Sequence, residues 1–223
     1  MIRTTSFVHL QPDADPRCVE RLVEAVRAAD QELDVLAVDA APTTPNSHRA
    51  GEVMVLGAFV DADAAARARA HPYVESVVRP LVETCAAHVE TVRYQQGPVT
   101  LRQPDLTDGI HRTLLLHVDG ATDPALVEHF ELDLAGMTHY IDSIRNSALS
   151  RVETMTDSLG PEYTHVWEQE FVDLGGLTGP YMMHGYHWSL VDPWFDAQAA
   201  RPIVDPWLIH ASCGLRRSLL ACG

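Results

Sequence analysis

The sequence predicts an α+β fold made of two similar units, each with the order strand, helix, strand, strand, helix, strand. Three observations predict it: an internal repeat, a helix start signal at matching places in both copies, and a stretch rich in Pro, Gly and Asp between them. At 223 residues the chain can hold two units of about 100 residues that each bury a core. The predicted boundaries are 1–96 for the first unit, 97–109 for a linker and 110–223 for the second unit.

The repeat is clearest at the first strand of each copy. The run Ile2–Leu10 (IRTTSFVHL) aligns with Ile110–Val118 (IHRTLLLHV), and both carry a His near the end. Each copy then has an Asp-Pro pair, at 15–16 and at 123–124, followed by an amphipathic stretch. Asp accepts hydrogen bonds from free N–H groups at a helix start, and Pro has no N–H to leave unpaired there. Each pair therefore predicts the start of a helix.

The later elements of the two copies also align. A further strand is predicted at 51–59 and 163–171, a short segment with a His at 71–77 and 184–190, and a closing helix and strand at 80–94 and about 203–213. A unit of this kind covers one sheet face with helices and leaves the other bare, so the bare face needs a partner sheet. Either the two units pair within the chain or the chain forms a homodimer, and the sequence leaves both open.

Composition limits the partners of the chain. Its formal charge of -15, from 16 Lys and Arg against 31 Asp and Glu, disfavours nucleic acid, since phosphate binding depends on cationic side chains. No apolar run reaches the roughly 18 residues of a membrane span, and the first ten residues lack the pattern of a signal peptide. We therefore expect a cytoplasmic protein that meets neither nucleic acid nor membrane and acts on a small molecule.

The cysteine and histidine patterns favour neither a disulfide framework nor a metal site. Cys18, Cys85, Cys213 and Cys222 are scattered without a CxxC pair, which predicts four reduced thiols. The 12 His include no HExxH motif, and the His184 and His187 pair has no obvious carboxylate beside it. Phosphate-loop, GxSxG and dinucleotide-binding signatures are also missing from the sequence. We expect neither a metal nor another cofactor.

A Tyr and a His on one short segment are the candidate catalytic groups. Tyr181 and His187 lie in the run YMMHGYH, six positions apart. A His exchanges protons near neutral pH, and a Tyr hydroxyl can donate a hydrogen bond to an oxygen that becomes negative. The pair is therefore suited to proton abstraction beside a carbonyl, the step that precedes carbon–carbon bond formation or cleavage.

Over nearly the whole chain the pattern resembles the stress-responsive dimeric α/β-barrel family. The second copy is most similar to the polyketide cyclases of this family, through the run at 163–165 (YTH) and the segment at 181–187, where Gly185 replaces a Pro. The resemblance implies tandem ferredoxin-like dimeric α/β-barrel units (βαββαβ twice) with antiparallel sheets. It also implies that Tyr181 and His187 are catalytic and that no cofactor is needed. In the first copy Ala68 and Val74 occupy the aligned positions, so we expect that copy to be catalytically degenerate.

Further residues are predicted to contact the substrate. The resemblance and strand alternation predict the pocket wall: 111, 113, 115 and 117 point one way, and 165, 167 and 169 share a face. The candidates are His111, Thr113, Leu115, His129, His165, Trp167 and His184. Two alternatives stay open: His111 in solvent at a strand end, and Trp167 as an ordinary core residue.

One departure from the family concerns the carboxylate that orients the catalytic His. The predicted last strand, Trp207–Cys213, has no Asp. The candidates to replace it are Ser212 and His210 on that strand, and Asp192 and Asp205 from two Val-Asp-Pro-Trp sequences. Those sequences bracket an insertion that is predicted to form either a lid or two aromatic core anchors.

The leading functional hypothesis is a cofactor-independent enzyme, an aldol-type cyclase or carbon–carbon lyase. Its substrate would be a small apolar carbonyl compound, either polyketide-like or aromatic. Two alternatives remain: a non-catalytic stress-response protein that binds small molecules, and a monooxygenase or haem-handling barrel.

Overall fold

The computed structural model describes residues 1–200 and 202–222. The first half contains β1 (Ile2–Leu10), α1 (Cys18–Glu32), β2 (Ala37–Pro42), β3 (Val53–Phe59), α2 (Ala62–Arg69), a π-turn (Val74–Val78), α3 (Arg79–Cys85) and β4 (Ala86–Gln95). The second half contains β5 (Val99–Leu101), β6 (Thr107–Leu116), α4 (Pro124–Tyr140), β7 (Ile144–Thr156), β8 (His165–Phe171) and β9 (Ile209–Arg217). Between β8 and β9 the chain forms short helical turns, which we call the 174–194 segment.

All the strands belong to one antiparallel sheet. Its order is β2-β3-β1-β4-β7-β8-β6-β9, and β5 pairs with β7 beside this path. The same order, second strand, third, first and fourth, recurs in each half, and β4 joins β7 where the halves meet. The two outer strands approach each other through isolated bridges between Thr43 and Cys213 and between His48 and His210. The sheet is thus a nearly closed barrel, which confirms the predicted fold class.

The hydrophobic core has two layers, one inside the barrel and one outside it, because side chains alternate between the two faces along each strand. Odd-numbered residues of β1 and β6 point into the barrel, where residues from both halves form one cluster that includes Phe7, Met54, Tyr94, Leu115, Val166 and Ile209. Even-numbered residues point outward and are covered by helices. In the second half this outer cluster includes Leu114, Leu116, Phe130, Trp167 and Phe171.

The helix start signals had different outcomes. Asp123 caps α4 as predicted, since its side chain accepts a hydrogen bond from the N–H of Ala125. The prediction for Asp15 was wrong by two residues: α1 begins at Cys18, after a backbone turn in which the N–H of Cys18 donates to the carbonyl of Asp15 at 2.8 Å.

The predicted closing helix of the second half was also wrong. Residues 202–208 contain no helix, and β9 begins only at Ile209. Pro202 and Pro206 lack the N–H groups that a helix through this stretch would need. The helical turns lie earlier, in the 174–194 segment.

The cysteine prediction needs a correction as well. Cys18 and Cys85 form a disulfide, with Cα atoms 5.8 Å apart and 67 positions between them in sequence. The fold places the start of α1 beside the end of α3, a contact that the scattered spacing does not show. Cys213 and Cys222 are free thiols.

The segment between the halves is ordered by the sheet. The predicted linker 97–109 contains all of β5, which pairs with Ala148, Ser147 and Asn146 of β7, and the first residues of β6. No helix in the described part of the chain has the length and apolar character needed to cross a membrane. The division into units at 97–109 stays a prediction.

Candidate functional site

The structure brings the two predicted catalytic residues together. Tyr181 ends the helical turn Leu177–Tyr181 and His187 begins the turn His187–Val191, and their rings meet edge to face with centroids 4.8 Å apart. Both side chains are buried, with exposed fractions of 0% and 8%. They lie over the outer face of the sheet, in the cluster that contains Phe171. Both turns are of the π type, which is frequent at functional sites.

Of the candidates to orient His187, Asp192 is the one whose carboxylate contacts it. Its Oδ1 lies 3.2 Å from Nδ1 of His187. Of the other candidates, the Ser212 hydroxyl lies 2.6 Å from the Thr44 hydroxyl, and His210 accepts a hydrogen bond from an arginine. These two side chains therefore have other hydrogen-bond partners than His187. Burial lowers the pKa of His187, although Asp192 opposes the shift. The imidazole is therefore neutral at pH 7, and Nδ1 is the ring nitrogen that faces Asp192.

A buried arginine lies at the centre of the site and was not predicted from the sequence. Arg112 on β6 donates from Nε to Nε2 of His210 at 2.8 Å and from Nη1 to Oε1 of Gln169. Its Cζ lies 4.9 Å from the ring centre of Tyr181 and 5.1 Å from that of Trp167. Burial lowers the pKa of Arg112. Among residues 1–200 and 202–222, no carboxylate lies within 4.0 Å of its guanidinium nitrogens.

Several polar atoms around Arg112 have no hydrogen-bond partner within the described residues. They are Oη of Tyr181, Nε2 of Gln169 and Nδ1 of His187, whose contact with Asp192 is not aligned for a hydrogen bond. Burial raises the pKa of Tyr181, so its hydroxyl keeps its proton and acts as a donor. The site therefore presents unused donors and one positive charge beside a neutral imidazole.

The predicted substrate contacts divide between the two faces of the sheet. His111, Thr113 and Leu115 alternate along β6 and point into the barrel, where Leu115 belongs to the inner cluster. In the β6–β8 register His111 lies opposite Glu170. Trp167 lies opposite Leu114 and points outward with Arg112. Each strand alternates as predicted, but the two sets do not share one pocket wall.

His111 is fully buried inside the barrel rather than exposed at a strand end. Its Nε2 lies 3.3 Å from Oε1 of Glu168 and its Nδ1 lies 3.6 Å from Oε1 of Glu170. Glu168 also pairs with Arg3 of the first half at 2.8 Å. Burial lowers the pKa of His111, but the two carboxylates outweigh it and raise the pKa overall. These residues form a polar network between the halves, away from Tyr181.

The remaining predicted contacts lie at the edge of the site or outside it. His165 is buried under α4, where its Nε2 lies 3.1 Å from Oε1 of Glu131. His129 is exposed on the outer face of α4. His184 is half-buried, and its Nδ1 accepts from the N–H of Tyr186 at 3.2 Å. Trp167 contacts Arg112 and is at the same time a core residue.

The matching region of the first half is hollow. A cavity of about 450 Å³ lies between its sheet and helices. In the sequence alignment of the two halves, five first-half positions that line this cavity match members of the second-half site: Thr4, Val55, Gly57, Ala68 and Val74 align with Arg112, Trp167, Gln169, Tyr181 and His187. Small residues therefore leave open the space that the polar cluster fills in the second half.

Over the described residues, no group of three or more His, Cys, Asp and Glu side chains is placed to hold a metal ion.

Comparison with known proteins gives structural matches only. The chain matches no family model and no curated protein. A protein of Fusobacterium nucleatum, provisionally named a monooxygenase, has a similar structure, with a TM-score of 0.63, 9% identity and coverage of 97% of this chain and 92% of the other. The chain has a ferredoxin-like dimeric α/β-barrel fold.

Two further structures share this α/β-barrel fold. A protein of Lactobacillus acidophilus, also provisionally named a monooxygenase, has a TM-score of 0.59 and 8% identity, with 97% of both chains covered. An anthrone oxidase-like protein has a TM-score of 0.64 and 8% identity, with 96% of this chain and 90% of the other covered. At such identities the likeness shows the α/β-barrel fold alone.

Proposed function

We propose that the protein is a cofactor-independent enzyme that moves a proton beside the carbonyl group of a small apolar compound. The observation that carries the proposal is the contact of Tyr181 with His187 next to the buried Arg112, with the Tyr181 hydroxyl unused by the protein. A neutral His, a protonated Tyr and a fixed cation are the groups that enolate formation needs.

The proposed reaction assigns a step to each group. His187 takes the proton from the carbon beside the carbonyl, and Asp192 stabilises the imidazolium that results. The electron pair of the broken C–H bond moves onto the carbonyl oxygen, where Tyr181 and Arg112 donate to the enolate. The enolate carbon then attacks a second carbonyl of the same molecule, and the proton on His187 passes to the new alkoxide. The reverse sequence is carbon–carbon cleavage, so both the cyclase and the lyase use the same groups.

The first half of the reaction can be tested without the natural substrate. Aryl methyl ketones incubated with the protein in D2O should exchange their methyl protons faster than in buffer, as followed by NMR. His187→Gln and Tyr181→Phe should each lower the exchange rate at least about tenfold, since positioned acid–base groups contribute factors of this size or more.

The control is His71→Gln, which alters a half-buried His of the hollow first half. It should leave exchange unchanged. Rates for His187→Gln and Tyr181→Phe equal to that of the wild type would refute the assignment.

A second candidate is a non-catalytic protein that binds small molecules. The observation that favours it is the cavity of about 450 Å³ in the first half, a size typical of ligand pockets, with no acid–base pair at the aligned positions. This candidate predicts ligand binding that survives His187→Gln, with no proton exchange in the wild type.

A monooxygenase that needs no cofactor would use the same proton removal, because the electron-rich carbon it creates can react with oxygen. Oxygen consumption during the exchange assay distinguishes that outcome. A haem-handling role would need a free axial ligand, but His165, the His buried between α4 and the sheet, is held by Glu131.

A further inference from the structure

We infer that the substrate of the second-half site carries a carboxylate that binds against Arg112. The inference rests on the proposed function for the place where the substrate sits, and it adds the chemical class of that substrate. The observation behind it is the uncompensated positive charge of Arg112, which does not depend on which reaction the site performs.

A buried guanidinium normally has a carboxylate beside it, because removing an unpaired charge from water is costly. Arg3 and Arg112 are buried to a similar extent, with exposed fractions of 1% and 4%, but differ in whether a carboxylate lies beside them. Arg3 lies 2.8 Å from Glu168. Arg112 has no carboxylate within 4.0 Å among the described residues, although its burial is nearly as complete.

The partners that Arg112 does have are uncharged. Gln169 is a neutral amide, and burial and the nearby Arg112 lower the pKa of His210 to about 3, so this imidazole stays neutral. The carboxylate of Asp192 lies against His187 and has half its side chain exposed. The protein satisfies the hydrogen bonds of the guanidinium on one side but leaves its charge uncompensated.

The neighbouring side chains add donors rather than acceptors. The Tyr181 hydroxyl is protonated and lies beside the Arg112 guanidinium, and the Gln169 amide nitrogen can only donate. Among the described residues neither atom makes an aligned hydrogen bond. A carboxylate offers two oxygens in one plane, which match the Arg112 guanidinium and the adjacent Gln169 N–H donor and leave the Tyr181 hydroxyl for the enolate. A neutral ketone would satisfy the donors but would leave the positive charge unpaired.

The walls of the site favour an aromatic body for this carboxylate. The ring of Phe171 packs edge to face on Tyr181 with centroids 5.5 Å apart, and the ring centre of Trp167 lies 5.1 Å from Cζ of Arg112. Aromatic rings stack and pack at such distances with a gain beyond their buried area. The ligand class is therefore an aryl or aryl-keto carboxylate.

Benzoate and benzamide test the inference, since they share a shape and differ in charge. Isothermal titration calorimetry should show that benzoate binds the wild-type protein at least about tenfold more tightly than benzamide. In Arg112→Met this preference should fall below about twofold, while Arg112→Lys should keep part of it. Arg69→Met, which removes an arginine at the cavity of the first half, should leave the preference intact.

The outcomes separate this inference from the proposed reaction. Equal binding of the two probes, or no binding of benzoate, overturns the inference even if ketones exchange their protons. A benzoate preference that depends on Arg112 supports it, also when no exchange is found and the proposed reaction fails. His187→Gln should abolish exchange but retain the benzoate preference.

Discussion

Arg3 and Arg112 are both buried in the sheet, yet different surroundings give them different tasks. Arg3 is paired with Glu168 inside the barrel and donates to the carbonyl of Leu219. Arg112 faces outward among neutral and aromatic groups. A paired buried charge supports the fold, whereas an unpaired one costs stability and is typical of a binding site.

This contrast predicts opposite stability effects for the same substitution. Arg3→Met should lower the free energy of unfolding by about 3–5 kcal/mol, because it leaves buried carboxylates without their cation. Arg112→Met should leave it unchanged or raise it, because it removes an unpaired buried charge. Urea denaturation at pH 7 measures both. A loss for Arg112→Met as large as that for Arg3→Met would show that Arg112 is structural.

The sequence predicted Tyr181 and His187 but missed Arg112, for a physical reason. Alternation along a strand tells which residues share a face, but it does not tell whether the opposite face meets solvent or a helix. Arg112 shares its face with Leu114 and Leu116. The apolar residues around Arg112 on this face of β6 were the sequence feature that could have indicated that both faces of the strand are covered.

At the scale of elements, strands were predicted better than the connection between β8 and β9. Alternating apolar runs identify β1, β3, β6 and β8 because burial selects those residues directly. The 174–194 segment has no such period, and its path depends on contacts with α4, such as the bond from Nε1 of Trp194 to Asp133 at 2.9 Å. The contact of Asp192 with His187 could be offered only as one of several alternatives for the same reason.

The hollow first half provides a prediction about β3. Val55→Trp places in the cavity the residue that the second half has at the aligned position, Trp167. The apolar fluorescent probe N-phenyl-1-naphthylamine should bind the wild-type protein, and Val55→Trp should weaken its binding at least about fivefold, because the added indole occupies the space the probe needs. Val60→Trp is the matched control, since Val60 is exposed at the end of β3. Undiminished probe binding in Val55→Trp would place the probe elsewhere.

At the scale of the whole molecule, the halves are joined by the barrel interior as well as by the pairing of β4 with β7. Apolar residues of both halves meet there, and so do the charges of Arg3, His111, Glu168 and Glu170. Two carboxylates and one arginine leave a negative charge that a protonated His111 balances. The two carboxylates, Glu168 and Glu170, therefore raise the pKa of His111.

Stability should therefore depend on pH through His111. Because its pKa is raised above 6.5 in the folded protein, its contribution is fully present below pH 6.5 and is lost as the pH rises through the raised value. Urea denaturation from pH 6 to pH 9 should show this decline, and His111→Gln should flatten it. An equally steep decline in His111→Gln would assign the effect to other groups.

Closure of the barrel has a bearing on ligand binding. The backbone of His210 bridges to that of His48 across the gap between β9 and β2, and its imidazole accepts the hydrogen bond from Arg112. One residue thus belongs both to a bridge that closes the barrel and to the hydrogen bonds that hold the cation. A carboxylate bound to Arg112 as inferred above would be linked through His210 to the point where the two ends of the sheet meet.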